Sequence, residues 1–190
     1  MAEYPNFAAL TRAEREGVDF GIVCRSRQSL VAVIAPHGGE IEPGTSEIAT
    51  AIAGDEFNLY CFEGHKPHGN RGLHITSVSF DEPKCLRLIS TSNRVVAVHG
   101  CLMGERTAFL GGRDAELRDA IRDRLEAFGF RTARPPHAGL QGVNPRNICN
   151  RGRSGCGVQL ELSRDLRDEL RLDGEKQTAL AAAIRAALAN

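Results

Sequence analysis

Several short segments of this chain are apolar at every position rather than at alternate positions, which restricts the kind of sheet they can form. The clearest are residues 30–35, Leu-Val-Ala-Val-Ile-Ala, and residues 95–98, Val-Val-Ala-Val. A strand that is apolar on both faces has to be covered on both faces, as strands are in α/β proteins. The sequence therefore predicts an α/β fold whose sheet lies between helices.

Candidate strands and helices spread over the whole chain. With 190 residues and no repeat, low-complexity tract or clear linker, residues 1–190 are predicted to form a single domain. The predicted strands are residues 20–24, 30–35, 58–62, 74–80, 95–99, 107–110 and 158–162. The predicted helices run from Thr45 or Ser46, one of which would be the N-cap, to Gly54, from Pro83 onwards, from Asp114 to Gly129, and over residues 176–189.

Charge and hydropathy argue against two classes of partner. The 24 basic and 24 acidic side chains cancel, so no overall field attracts nucleic acid or an anionic membrane. No stretch approaches the roughly 18 apolar residues of a membrane-spanning helix, and the first residues do not have the pattern of a secretion signal. We therefore expect a cytoplasmic protein that binds neither nucleic acid nor membrane.

The six cysteines form no Cys-x-x-Cys pair, and most lie in or beside apolar segments. They are predicted to be reduced and to pack as small hydrophobic residues, which is usual in a reducing compartment. Cys149 and Cys156 flank a glycine-rich loop, where a disulfide or a metal contact is the alternative.

Two of the apolar strands end in a histidine. His37 follows residues 30–35 in the run Pro-His-Gly-Gly-Glu-Ile-Glu, and His99 follows residues 95–98. A catalytic zinc ion commonly has three histidine or carboxylate ligands and keeps one position open for water. His37, His99 and one nearby carboxylate, Glu40 or Glu42, could supply this set. The alternative is that these are unconnected polar residues at strand ends.

Glu161 lies inside the predicted strand Val-Gln-Leu-Glu-Leu, although buried strands normally lack carboxylates. If its face of the sheet lines a cleft, Glu161 can serve as a general base. If the strand simply alternates, Gln159 and Glu161 face solvent.

Further candidates are weaker. Arg71, Arg113 and Arg151 adjoin glycine or asparagine and could bind a substrate carboxylate through two parallel hydrogen bonds. Among the other histidines, His74 is a candidate for a hydrogen bond to a metal ligand.

The motifs stand in a fixed order along the chain. They are Pro-His-Gly-Gly-x-Ile-Glu-Pro-Gly-Thr-Ser-Glu at 36–47, Leu-His-Ile-Thr-Ser at 73–77, Phe-Asp-Glu-Pro at 80–83, Val-His-Gly at 98–100, Gly-Gly at 111–112, Asn-Ile-Cys-Asn-Arg-Gly at 147–152 and Gly-Val-Gln-Leu-Glu-Leu-Ser at 157–163. In this combination, from about Tyr4 to Ser163, the chain resembles the bacterial and phage poly-γ-glutamate hydrolase family. Some family members are also labelled phage-related replication proteins.

The resemblance implies a zinc carboxypeptidase-like fold, with an open mixed sheet flanked by helices, that hydrolyses γ-glutamyl amide bonds. Carried onto this chain, it makes His37, Glu42 and His99 the zinc ligands and Glu161 the general base. One arginine is expected to help polarise the scissile carbonyl, and Arg151 is our candidate for it, while the arginine that binds substrate stays open. Glu40 departs from the family, which often has glycine there, and this favours Glu42 as the ligand.

Poly-γ-glutamate is the expected substrate, and two other functions stay open. One is hydrolysis of a smaller γ-glutamyl or acyl-amino-acid amide, and the other is a non-catalytic, metal-stabilised binding protein involved in phage replication. A phage enzyme, released at lysis, would breach a host capsule, whereas a bacterial copy would recycle polymer. The residues alone do not distinguish zinc from other divalent ions, or internal from terminal cleavage.

Overall fold

Residues 4–189 are described by a computed structural model, in which seven strands form one sheet. The strands are β1 (Phe20–Arg25), β2 (Val31–Gly39), β3 (Asn58–Gly64), β4 (Arg94–Cys101), β5 (Thr107–Gly112), β6 (Arg131–Ala133) and β7 (Val158–Ser163). Their order across the sheet is β1-β3-β2-β4-β7-β5-β6.

The helices connect and flank these strands. They are α1 (Phe7–Leu10), α2 (Thr45–Ala53), α3 (Pro83–Ser90), α4 (Ala115–Ala127), α5 (Arg164–Leu172) and α6 (Gly174–Leu188). Short 3-10 helices lie at Asn70–Leu73, Ala138–Leu140 and Ile148–Arg151.

The sheet is mixed. Its central strands β3, β2, β4 and β7 are parallel, whereas β1 is antiparallel to β3, and β5 is antiparallel to β7. The prediction of an α/β fold with an open mixed sheet flanked by helices is confirmed. The single-domain extent and the likeness to carboxypeptidases stay predictions.

Both faces of the sheet are covered, as the apolar strands predict. Alternate residues such as Val33, Val98 and Leu160 pack against α2, α4, α5 and α6 on what we call the first face. The intervening residues, such as Ile34 and Ala97, pack against α1, α3 and the segment around residues 73–80 on the second face. Polar side chains on the second face therefore lie beneath chain segments and not in open solvent.

One predicted strand is wrong. Residues 74–80 form turns that follow the 3-10 helix Asn70–Leu73. Ile75 and Phe80 are fully buried, but the Ile75 carbonyl bonds to the His37 ring and not to a neighbouring strand. The apolar residues of this segment therefore reflect a loop buried on the sheet.

Smaller differences concern helix ends and short elements. The N-cap of α2 is Gly44, at φ 96°, and not Thr45 or Ser46. The pattern did not predict α1 and β6, which have four and three residues. It also did not predict α5, in which Leu166 and Leu170 are the buried apolar residues among many charged ones.

All six cysteines are free thiols, so Cys149 and Cys156 form no disulfide. Among the helices of residues 4–189, none combines the length and apolar character needed to cross a membrane.

Candidate metal centre

A β-bulge turns His37 towards His99. Between Ala35 and Gly38, β2 has one residue more than the stretch of β3 that pairs with it. Strict alternation would place His37 on the same face as Ala35, but an extra residue reverses the alternation. His37 consequently shares the second face with His99, which lies near the end of β4.

His37, Glu42 and His99 form a compact cluster at the carboxyl ends of β2 and β4. The Nδ1 atoms of the two histidines are 3.1 Å apart. Oxygens of Glu42 lie 3.2 Å from Nδ1 of His37 and 3.7 Å from Nδ1 of His99. One ligand atom from each residue lies within 4.8 Å of the other two. Because zinc bonds nitrogen and oxygen at about 2.0–2.2 Å, donors at these separations fit around one ion.

Hydrogen bonds decide which ring nitrogen faces the cluster. His37 donates from Nε2 to the Ile75 carbonyl oxygen at 2.6 Å. A carbonyl can only accept, so Nδ1 of His37 keeps its lone pair for the cluster. Nε2 of His99 lies 3.5 Å from the Ser77 hydroxyl. An oxygen partner on the second ring nitrogen is the usual arrangement of a metal-binding histidine.

The turn after β2 presents Glu42 rather than Glu40. The Glu42 N–H donates to the His37 carbonyl at 2.9 Å, and the Thr45 hydroxyl donates to the Glu42 carbonyl at 2.8 Å. The Gly100 N–H donates to Oε2 of Glu42 at 2.8 Å. Glu40 only lines the cavity in front of the cluster. Of the two carboxylates, Glu42 is therefore the one that joins the histidines.

Burial and the charges of neighbouring side chains shift the pKa values of Glu42 and His74. Burial would raise the pKa of Glu42, but His37 and His99 outweigh burial and lower it. Burial, followed by the charge of His37, lowers the pKa of His74 to about 3. His74 stacks on His37 with ring centroids 3.8 Å apart. The carboxylate is thus ionised and His74 is neutral around pH 7.

Glu161 lies on β7 directly beside His99 on β4. Only 4% of its surface is exposed, and burial raises the pKa of its carboxyl to about 7. Nε2 of Gln159 donates to Oε1 of Glu161 at 2.8 Å, and Nδ2 of Asn147 donates to Oε1 of Gln159 at 2.7 Å. A chain of buried amides thus orients the carboxylate.

Arg167 ties together the segments that carry these residues. Although it is charged, only 3% of its surface is exposed. Its guanidinium donates to the carbonyls of Leu162 at 3.1 Å and Cys101 at 3.3 Å, and also to that of Pro43. A Cβ on Gly100 would lie 2.6 Å from this guanidinium, so the glycine allows the close approach.

A cavity of about 660 Å³ opens in front of the cluster. Its wall combines Glu42, His74 and Gly100 with residues of α5. The charged residues around it are the arginines Arg71, Arg164, Arg167 and Arg171 and the carboxylates Glu40, Glu42 and Asp168. The cavity is therefore a polar space beside the candidate metal centre.

Arg151, which the sequence assigns to catalysis, is placed differently. Its guanidinium donates to the Phe80 carbonyl at 3.0 Å, and Arg151 is not one of the residues that line this cavity. Of the other two candidates from that group, Arg71 lines the cavity and Arg113 does not. The catalytic role of Arg151 stays a prediction.

The family of this chain follows from its similarity to known proteins. A family model described as poly-gamma-glutamate hydrolase matches residues 4–183. This chain belongs to that family. The chain is also similar to three curated proteins of Bacillus subtilis (strain 168). UPF0714 protein YndL is 37% identical over 171 residues, which are 88% of this chain and 66% of that protein. UPF0714 protein YmaC is 38% identical over 167 residues (87% of this chain and 70% of that protein), and the SPbeta prophage-derived UPF0714 protein YoqZ is 35% identical over 169 residues (88% and 61%). The chain spans about two thirds of their length.

Two solved structures share the fold of this member of the poly-gamma-glutamate hydrolase family. A bacteriophage poly-gamma-glutamate hydrolase is 33% identical, with a TM-score of 0.93 over 100% of this chain and 97% of that chain. The zinc-free apo form of YndL is also 33% identical, with a TM-score of 0.93 over 100% of this chain and 98% of that chain. The family resemblance seen in the motifs is therefore confirmed.

In this poly-gamma-glutamate hydrolase family member, the motifs pointed to the cluster but not to its supports. Gln159 was considered only as a residue that could alternate towards solvent, and Arg167 was not considered, since neither belongs to a residue type that marks a metal site. For Gln159 the available signal was its position two residues before Glu161, on the same face of a strand. For Arg167 it was the spacing of arginines at 164, 167 and 171, which puts them on one side of a helix.

Proposed function

We propose that this protein is a zinc-dependent hydrolase of γ-glutamyl amide bonds and that its substrate is poly-γ-glutamate. The observation that carries the proposal is the convergence of His37, Glu42 and His99, beside Glu161 on the adjacent strand. Membership of the poly-gamma-glutamate hydrolase family supports the substrate. A 33% identical structure described as zinc-free supports zinc as the metal.

The residues present fit zinc. Two imidazole nitrogens and one carboxylate oxygen form a donor set of catalytic zinc sites, which keep a further position for water. His37, Glu42 and His99 would hold the ion. A zinc ion bound there would supply Lewis-acid chemistry, which polarises the scissile carbonyl and increases the acidity of water.

Glu161 moves the proton in this scheme. Its carboxylate accepts a proton from the water that attacks the amide carbon, and it returns the proton to the leaving amine nitrogen as the carbon–nitrogen bond breaks. A pKa of about 7 suits a group that must accept and donate near neutral pH. Gln159 keeps the accepting oxygen oriented through its amide N–H.

The test is polymer shortening by protein of known metal content. We expect the parent protein to shorten poly-γ-glutamate, and a chelated sample to regain activity on adding zinc. Glu161→Gln should keep stoichiometric zinc and lose at least about 100-fold in turnover. The matched control is Glu116→Gln, because Glu116 is an exposed residue of α4.

Two outcomes would overturn parts of the proposal. Full activity of Glu161→Gln would remove the role of Glu161. An intact polymer with stoichiometric zinc would remove poly-γ-glutamate as substrate, and small γ-glutamyl amides would then be assayed with the same variants. If those also stay intact, the metal serves a binding protein.

A further inference from the structure

One wall of the cavity is a row of charged side chains on α5. Arg164, Arg167, Asp168 and Arg171 all line it, at a spacing that places them on one side of a helix. Arg71 lines the cavity from another segment, the 3-10 helix Asn70–Leu73.

The arginines that line the cavity differ in the hydrogen bonds and ion pairs that they already form. Arg167 donates to three backbone carbonyls and is buried. Arg164 pairs with Asp168 at 3.4 Å. Within residues 4–189, the exposed side chains of Arg71 and Arg171 form neither a hydrogen bond nor an ion pair. Two guanidinium groups at the cavity are therefore free to bind an anion.

Arg171 lies next to the turn that carries Glu42 of the metal cluster. A Cβ on Gly44 would lie 3.2 Å from Cδ of Arg171, so this side chain packs over the turn that follows Glu42. Four arginines face three carboxylates in the cavity, while the chain as a whole has no net charge. The excess of positive charge is local, and a bound divalent ion would increase it.

A γ-linked glutamyl chain has the chemistry that such groups recognise. Each residue carries a free α-carboxylate directly on its main chain, and guanidinium binds carboxylate through parallel hydrogen bonds. An ordinary α-linked residue has three main-chain bonds and spans about 3.5 Å when extended. A γ-linked glutamyl residue has five main-chain bonds and therefore spans about 6 Å. The carboxylates of such a chain therefore follow the main chain at long, regular intervals.

We propose that Arg71 and Arg171 form a carboxylate-binding subsite for the α-carboxylates of a γ-linked glutamyl chain that crosses the cavity. This inference rests on the proposed function and adds the groups that recognise the polymer. It assigns them to binding, whereas Glu161 and the metal cluster perform the chemistry. Substitutions at the two arginines should consequently raise KM and change kcat little.

Binding can be measured without turnover in the zinc-loaded Glu161→Gln protein. The probe is a γ-linked glutamate pentamer, and an α-linked pentamer of the same charge serves for comparison, both in isothermal titration calorimetry. Into this background we would introduce Arg71→Gln, Arg171→Gln, the double variant and the charge-retaining Arg71→Lys. Arg12→Gln is the matched control, since Arg12 is exposed and does not line the cavity.

We expect each glutamine variant to weaken binding of the γ-linked pentamer about tenfold and the double variant about 100-fold. Zinc content should stay the same, Arg12→Gln should bind like the background protein, and Arg71→Lys should keep part of the affinity. Affinity of the double variant within twofold of the background would overturn the subsite. So would equal binding of the α-linked pentamer.

The subsite and the proposed hydrolase can fail separately. If the parent protein cleaves no γ-glutamyl substrate while the double variant still loses affinity, the hydrolase is wrong and the subsite stands. If the parent cleaves the polymer but the arginine variants bind and turn over normally, the subsite is wrong and the hydrolase stands.

Discussion

The metal cluster and the arginines of the cavity differ in how firmly the fold holds them. His37 and His99 are 1% and 2% exposed, and Glu42 accepts a hydrogen bond from the backbone of Gly100. Arg71 and Arg171 are exposed, and neither side chain has a hydrogen-bonding partner within residues 4–189. Burial and hydrogen bonds restrict the side chains of the first group, whereas those of the second have many rotamers open to them.

This difference suits the work proposed for each group. Chemistry requires donor atoms fixed to within a fraction of an ångström, which buried and hydrogen-bonded side chains on strand ends provide. Recognition of a repeating carboxylate tolerates movement, and long cationic side chains can order when the ligand arrives. Substitutions in the cluster should therefore have much larger effects than substitutions around the cavity.

The largest effect is expected for His99→Ala. This change removes one of the three proposed metal ligands, and we expect zinc affinity to fall by at least about 100-fold and hydrolysis to disappear. Competition with a chromophoric chelator measures the affinity. His68→Ala is the control, since His68 is exposed in a loop and lies outside the cluster. Unchanged zinc affinity in His99→Ala would remove His99 from the ligand set.

Arg167 tests whether the cluster depends on α5. Arg167→Met keeps much of the side-chain volume but removes the hydrogen-bond donor of three carbonyls. We therefore expect the free energy of unfolding to fall by about 3 kcal/mol. Zinc affinity should fall by about tenfold, because the turn carrying Glu42 loses its tie to β4 and β7. Urea unfolding and zinc titration measure the two effects.

The control for this change is Arg164→Met, in the same helix. Within residues 4–189, the exposed side chain of Arg164 pairs only with Asp168, so its loss should alter stability by no more than about 0.5 kcal/mol. Equal stability of the two variants would show that the buried guanidinium does not hold the strand ends together.

The contrast between buried and exposed side chains also accounts for which features of the site could be predicted from the sequence alone. His37, Glu42, His99 and Glu161 stood out because polar residues at the ends of apolar strands are unusual, and parallel strands bring their carboxyl ends to one edge. Their convergence still depends on the bulge after Ala35, for which the available signal was Pro36, since proline cannot donate to a sheet ladder and lies at bulges. Strict alternation would have turned His37 to the other face.

Other features depend on contacts between distant segments. Gln159 looked like a residue that alternates towards solvent, but the loop carrying Asn147 covers that face and buries it. Arg167 lies in a charge-rich helix, and its burial follows from carbonyls of segments up to 124 residues away. Residues 74–80 combine strand-forming residues with a turn that the pattern did not reveal. Each of these features requires the assembled sheet.

A smaller effect is expected for Gln159→Leu, which changes the orientation of Glu161 but removes no reacting group. The amide N–H stabilises the ionised carboxylate, so its loss should raise the pKa of Glu161 further. We expect kcat to fall about tenfold with little change in KM, and the acidic limb of the kcat profile to move to higher pH. Normal kcat with an unshifted limb would contradict this positioning role.

The smallest effect is expected for Arg151→Gln. The guanidinium of Arg151 donates to the Phe80 carbonyl outside the cavity wall, so its loss should cost about 1 kcal/mol of stability. Any change in kcat should be less than about threefold and arise from the loop that Phe80 anchors against His37. Steady-state kinetics of Arg151→Gln and Arg71→Gln, measured side by side, test this expectation. A tenfold or larger fall in kcat for Arg151→Gln would place this arginine at the scissile carbonyl. Recognition and chemistry would then overlap in one side chain.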